Sequence, residues 1–276
     1  SCHGGLEHIR QEQSGMTKAI AKKAQEAGYP QNSCIVCHGG NPATEHKSKA
    51  HNGTIEYFLT HEGPKEYYPA PASTWINQNT CGMCHENQVK AQMNSLMMTE
   101  QGKIQGAMWS FGGLEGYEHT AGTYATKNPE DIHSRLGTKK YQEYMQKLSL
   151  MEPQAFPKEM HQLPQAPTAD EVQKDPSLAV YTYLRQECLR CHTGSQGRQK
   201  RGDYRGIGCA SCHVPYSNEG FYEGDDKSIS KKERGHLLVH SIQSSRDAKV
   251  KVHDVEYSGI PVETCSTCHN RGKRIG

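Results

Sequence analysis

The chain has 276 residues and a formal net charge of +2, with sixteen His and eleven Cys against only four Phe and two Trp. That charge balance excludes the strongly basic footprint of a nucleic-acid binder, and no apolar run approaches the roughly 20 residues of a membrane span. A hydrophobic share of 34% is thin for a chain that must offset about 1–2 kcal/mol of backbone entropy per residue, yet 27 Gly, 14 Tyr and the Cys and His content do not suit a solvated, disordered tail, so something besides aliphatic side chains must supply a core.

The chain opens with Cys2-His3-Gly4-Gly5, and Glu7-His8 follows. Residues 17–27, TKAIAKKAQEA, stop at Gly28 and predict a helix. Cys34, Cys37 and His38 then form C-I-V-C-H, continued by Gly39-Gly40, Glu45-His46, His51 and His61. Cys81, Cys84 and His85 repeat the spacing as C-G-M-C-H. Residues 86–108 predict the longest helix, with Val89, Met93, Leu96 and Met97 on one face. His119 and His133 precede a second candidate helix, 139–150, closed by Pro153. Pro153, Pro157, Pro164 and Pro167 mark an extended linker that carries His161. Asp175-Pro176 fits an N-cap followed by Pro at the first helical position, opening a helix that runs into Cys188, Cys191 and His192. After Arg198, Lys200, Arg201 and Arg205, the spacing returns at Cys209, Cys212 and His213. Residues 230–242 predict a helix with His236 and His240 four apart on one face. His253 and a last repeat, Cys265, Cys268 and His269, lead to Arg271, Lys273 and Arg274.

C-x-x-C-H therefore occurs five times, where chance at these Cys and His frequencies gives roughly 0.03 copies. It is the attachment motif of c-type haem: two thiols add to the two vinyl groups on one porphyrin edge, and the adjacent imidazole binds the iron. A zinc ribbon has no need of His after every second Cys, and a disulfide framework does not enforce one spacing. Cys2-His3-Gly4-Gly5 matches Cys37-His38-Gly39-Gly40, each with an E-H pair soon after, so Cys2 and His3 read as the end of a sixth motif in a longer polypeptide. Six haems are expected, five of them from complete motifs.

His3, His38, His85, His192, His213 and His269 are the expected proximal ligands. Ten His remain, more than six haems need for a second imidazole each, which predicts bis-His, low-spin, low-potential iron without an open position. His46, His51, His119, His236 and His240 are the leading distal candidates, with His8, His61, His133, His161 and His253 behind them. Met16, Met93, Met97, Met98 and Met108 read as packing before ligation. The basic residues near 198–205 and 271–274 suit haem propionates, and Asp225-Asp226 is a weak calcium signal.

The expected fold is mostly α with extensive irregular loops and little or no sheet, built around a stacked chain of haems. The motif spacing divides it into an N-terminal haem module at 1–110, an insert at 111–175 that supplies distal His, and a C-terminal module at 176–276 whose closely spaced fourth and fifth motifs form a pair.

Thr80-Cys81-Gly82-Met83-Cys84-His85, the paired motifs at 188–213 with Gly206-Ile207-Gly208-Cys209, and the C-H-G-G starts resemble the octahaem cytochromes that include hydroxylamine oxidoreductase and tetrathionate reductase. They also resemble the large extracellular cytochromes of metal-reducing bacteria. The resemblance implies closely stacked parallel and perpendicular haem pairs. The enzymes of that group depend on one haem of unusual ligation, sometimes through a C-x-x-C-K motif, which does not occur in this sequence.

The expected function is electron transfer along bis-His haems in anaerobic or extracellular respiration, and no residue is assigned a catalytic role. The alternative is an oxidoreductase of hydroxylamine, nitrite or tetrathionate with one open-faced haem. Haem attachment takes place outside the cytoplasmic membrane, so the expected location is the periplasm or cell surface. The expected partners are other cytochromes, further copies of the chain, a membrane quinol oxidase or an extracellular acceptor, with no nucleic acid and no transmembrane segment.

Overall fold

A computed structural model describes residues 3–52, 67–94, 98, 101–116, 118–125, 138–189, 193–194, 200–202, 208–214, 221–233, 239–242, 251–252 and 255–256. Helix dominates and sheet is marginal, as the sequence predicts. Residues divide by contact into two units that interleave along the chain. The first comprises Ser1–Ala72, Asn79–Cys81 and Cys209–Arg271, and the second Ser73–Gln78, Gly82–Gly208 and Gly272–Gly276.

In the first unit, α1 (Gly15–Glu26) forms where the Ala/Lys run predicts it. The Ser14 hydroxyl accepts from the Thr17 amide at 3.1 Å, satisfying one of the unpaired donors of the first turn. The single turns α2 (Ile35–His38) and α3 (Lys47–Ala50) follow. The N-terminal strip 3–10 is tied to the segment 221–242: the Ile242 amide donates to Ile9 O at 2.8 Å, Ser241 Oγ to His8 O at 2.8 Å, and Arg10 Nη1 to Ile242 O at 3.1 Å. These bonds replace helix at the end of the run expected to be helical, 230–242, whose residues 234–238 lie outside the described residues. The Ile242 amide serves Ile9, and the His240 amide serves the Glu7 carboxylate at 3.3 Å. Residues 230–233 and 239–242 are accordingly non-helical. Among the described residues of this unit, only Ala24, Ala210, Val214 and Tyr222 are buried apolar side chains.

The second unit has a conventional core of Ile104, Ala107, Met108, Ala121, Leu163, Val180, Leu184 and Leu189. Leu163, Val180 and Leu184 are almost completely buried, each worth about 1.5–3 kcal/mol relative to exposure. The long helix expected at 86–108 is instead α4 (Gly82–Met93) and α5 (Gln101–Ser110). Asn94 Nδ2 donates to Lys90 O at 2.9 Å, taking the carbonyl that a continuing helix would bond, and Met98 is fully buried beside Thr193, whose hydroxyl donates to its sulfur at 3.3 Å. The longest helix among the described residues is α6 (Lys139–Met151), capped by Thr138. The Pro-rich linker opens on a turn at 153–155, closed by the Phe156 amide on Glu152 O at 2.9 Å, and beyond it contributes β2 (His161–Gln162), which pairs in parallel with β1 (Ala121–Gly122). A capping box of Thr168 and Glu171 opens α7 (Ala169–Lys174). Asp175 accepts from the Ser177 amide at 3.0 Å, as an N-cap should, and starts a 3₁₀ turn at Pro176–Leu178. The helix α8 (Ala179–Tyr183) and a π turn at Leu184–Cys188 carry the chain into the fourth motif.

In the first unit α9 (Ala210–His213) spans the fifth motif, and β3 (Lys251–Val252) pairs antiparallel with β4 (Val255–Glu256). No described helix is long and apolar enough to cross a membrane.

Candidate functional site

Three C-x-x-C-H runs are described, and they share one local design. At Cys34–His38 the Cys37 and His38 amides donate to Cys34 O at 3.2 and 2.9 Å; at Cys209–His213 the equivalent bonds are 3.3 and 3.1 Å. The first Cys precedes the turn in αR conformation, at φ −59° for Cys34 and −60° for Cys209. At the third motif the helix kinks at His85, with φ −118° and ψ 43°. In each case a single helical turn carries two Cys three apart, hence on one face, and the regular turn stops at its His. Cys34, Cys37, Cys81, Cys84, Cys209 and Cys212 are all thiols, none in a disulfide. Cys188 ends the π turn. Cys2, Cys191, His192, Cys265, Cys268 and His269 lie outside the described residues, as do His61, His133, His236 and His253.

The glycines after His38 have a definite task. Gly39 and Gly40 have φ of +65° and +82°, and a Cβ on Gly40 would stand 2.8 Å from Ala50 O, so the chain can fold α3 back against the motif only with glycine there. The reversal brings Tyr68 beside His38, whose Nδ1–H donates to Tyr68 O at 2.8 Å. That bond fixes the tautomer and leaves Nε2 as the lone-pair nitrogen. Burial pushes the His38 pKa down, which favours the neutral ring a metal requires.

His3 is held in the same manner. Its Nδ1 lies 3.0 Å from Asp226 Oδ2 and 3.0 Å from Ser228 Oγ. Burial raises the Asp226 pKa, but hydrogen bonds from Ser228 and the pairing with His3 outweigh it and keep the carboxyl below its ordinary value. His240, a predicted distal ligand, places Nδ1 3.3 Å from Glu7 Oε2. Burial of Glu7 is outweighed by the Tyr222 hydroxyl at 2.7 Å and by backbone donors, which bring its pKa down to about 2. His119 turns Nδ1–H to Ala155 O at 3.2 Å and stacks on Phe156. His51 is half-buried; its ring centroid is 5.8 Å from that of His3 and 5.0 Å from that of Tyr67, which stacks on His38 at 6.2 Å. Burial and then His3 depress the His51 pKa. His46 is exposed and bonds Ser48 at 3.0 Å, and His8, His85 and His161 are also exposed.

Among the described residues, no three His, Cys, Asp or Glu side chains converge as a bare-ion site. Asp226, considered for calcium, is engaged by His3 and Ser228. Arg201, considered for a propionate, donates to Ala166 O and pairs with Glu171 at 3.3 Å. In the first unit the Cys209 thiol hydrogen-bonds Cys81, and this contact brings the Cys81 pKa down to about 7. The first thiols of the third and fifth motifs are thus neighbours.

The residues present fit a c-type haem in three respects: thiols paired on one turn, the His38 imidazole with Nδ1–H committed and the lone pair on Nε2, and few buried apolar side chains among the described residues of the first unit. The sequence pattern missed the residues behind the His. The carbonyls of Tyr68 and Ala155 have no side-chain signature, and Glu7 serves the distant His240 instead of the adjacent His8. Comparison with protein-family models, curated proteins and solved structures returned no match.

Proposed function

We propose that the chain is a multihaem c-type cytochrome that passes electrons between covalently held haems in the periplasm or at the cell surface of an anaerobically respiring prokaryote. The carrying observation is the five-fold C-x-x-C-H repeat, supported by the common one-turn geometry of its described copies. Bound haem supplies a one-electron iron couple. The polypeptide sets the environment of each iron. Cys34 and Cys37 would hold a porphyrin edge, and Tyr68 O orients His38. Asp226 and Glu7 place anionic acceptors behind His3 and His240, which would strengthen those imidazoles as donors to a bound ferric iron. The scarcity of apolar side chains in the first unit suits a core shared with large apolar cofactors. The histidine surplus favours second imidazoles over open positions, so electrons pass on to partner redox proteins or to further copies of the chain.

The test is intact-protein mass and a haem assay on protein matured with the cytochrome c attachment machinery. Six covalent haems are expected, at least five of them from the complete motifs. Zinc or disulfides in their place would overturn the proposal. A wholly low-spin ferric spectrum that ignores cyanide, nitrite and hydroxylamine is expected of a conduit, and a high-spin signal perturbed by them would assign the chain to catalysis instead.

A further inference from the structure

Resting on the haem reading above, we infer that His51 is the iron ligand opposite His3, so that the two imidazoles clasp one haem between the N-terminal strip and the loop that follows the second motif. The ring centroids stand 5.8 Å apart with an interplanar angle of 38°. Two imidazoles on opposite sides of one iron place their ring centres about 6 Å apart, because each metal–nitrogen bond is about 2 Å and each ring centre lies about 1 Å behind its nitrogen. The same separation falls within the range of ordinary ring packing, so the surroundings decide between the two.

His3 is the one non-glycine residue with positive φ among the described residues, at +47°. Such a conformation persists only where its surroundings impose it. Here Asp226 and Ser228 hold Nδ1 from one side, which orients the opposite nitrogen. Gly5 permits this approach, since a Cβ there would lie 3.2 Å from Asp225 O. His51 is positioned independently: its amide donates to Lys47 O at 3.1 Å at the end of α3, and the Tyr67 ring stands edge-on beside it. Of the other described distal candidates, His240 lies against Tyr222 and Glu7, His119 against Phe156 and His46 on Ser48, while His8 and His161 are exposed. Among the described residues, His3 and His51 form the one His–His ring contact. The pairing also links two motifs, because the chain between His38 and His51 would supply a ligand to the site of His3.

The experiment uses the full-length, haem-loaded protein. His51→Ala should retain every haem by mass, since attachment is through thioethers, while one haem equivalent changes from low-spin to high-spin ferric by electron paramagnetic resonance. Added imidazole should restore it. His51→Met should keep that haem low-spin and raise its potential, because thioether ligation favours the ferrous state; this variant carries the test if the alanine form does not mature. An unchanged low-spin count in His51→Ala, or unchanged potentials in His51→Met, overturns the pairing and leaves the haem reading standing. Wild-type protein without covalent haem overturns both, and mass alone identifies that case.

Discussion

At the scale of single residues, the atoms behind the imidazoles matter most. Two acidic side chains in the first unit each face the Nδ1 of a histidine: Asp226 faces His3, and Glu7 faces His240. A carboxylate in that position gives an imidazole partial anionic character, which favours ferric over ferrous iron. Asp226→Asn keeps the shape and a hydrogen-bond partner for His3 and removes the charge. We expect unchanged haem content and a rise of about 60 mV in the potential of one haem, equivalent to a tenfold shift in a one-electron equilibrium. Potentiometric titration followed by visible absorption checks this, and potentials unmoved at every haem would show that Asp226 only packs against His3. On the haem reading, the thiols and their adjacent imidazoles are legible in the sequence because covalent attachment would fix their spacing. Asp226 stands 223 positions from its partner, and no local spacing encodes such a pair.

At the scale of elements, the second unit depends on side chains that satisfy backbone groups. Arg185 is 2% exposed and donates through its guanidinium to Leu163 O and Pro164 O. It thereby fastens the turn that leads to Cys188 onto the Pro-rich linker. Arg185→Met preserves much of the volume and abandons both carbonyls, and should cost about 3 kcal/mol, measured by denaturant unfolding. The capping box of α7 is a milder case. Thr168→Ala should cost about 1 kcal/mol. The Glu171 pKa is lowered by hydrogen bonds from the Thr168 amide and hydroxyl, with Arg201 adding to the effect. A lowered carboxylate stabilises the fold above its unfolded pKa, and that contribution disappears as pH falls through the lowered folded value. The start of α7 should therefore fray in acid in wild type and show no such step in Glu171→Gln, read from the Thr168 amide resonance against pH. These caps also explain which elements could be foreseen. The helices α1 and α6 and the Asp175 N-cap are specified by local sequence and form where predicted. At 239–242 the expected helix gives way to amides with distant acceptors at Glu7 and Ile9, and the helix expected from 86 ends at Met93, where the Asn94 side chain takes Lys90 O.

At the scale of the whole molecule, composition and fold agree on one point. The second unit has an aliphatic core, while among the described residues of the first only Ala24, Ala210, Val214 and Tyr222 are buried apolar side chains. A thin hydrophobic share was legible in the sequence, but its concentration in one unit was not, because contacts between residues 1–72 and 209–271 define that unit. The same cofactors would invert the charge. A ferric bis-His haem with both propionates ionised carries about −1 and its ferrous form about −2. Six of them would take the +2 polypeptide to about −4 oxidised and about −10 reduced. Isoelectric focusing should therefore find the oxidised protein more acidic than its amino-acid composition implies. Each added electron raises the proton affinity of nearby propionates and imidazoles, so reduction takes up protons and potentials fall as pH rises. Between pH 6 and 8 the slope should be negative and smaller than the roughly 59 mV per unit that one proton per electron would give. Potentials that stay level across that interval would mean that the charge change is screened by solvent and not shared with titrating groups, and would remove proton coupling from the proposed electron-transfer role.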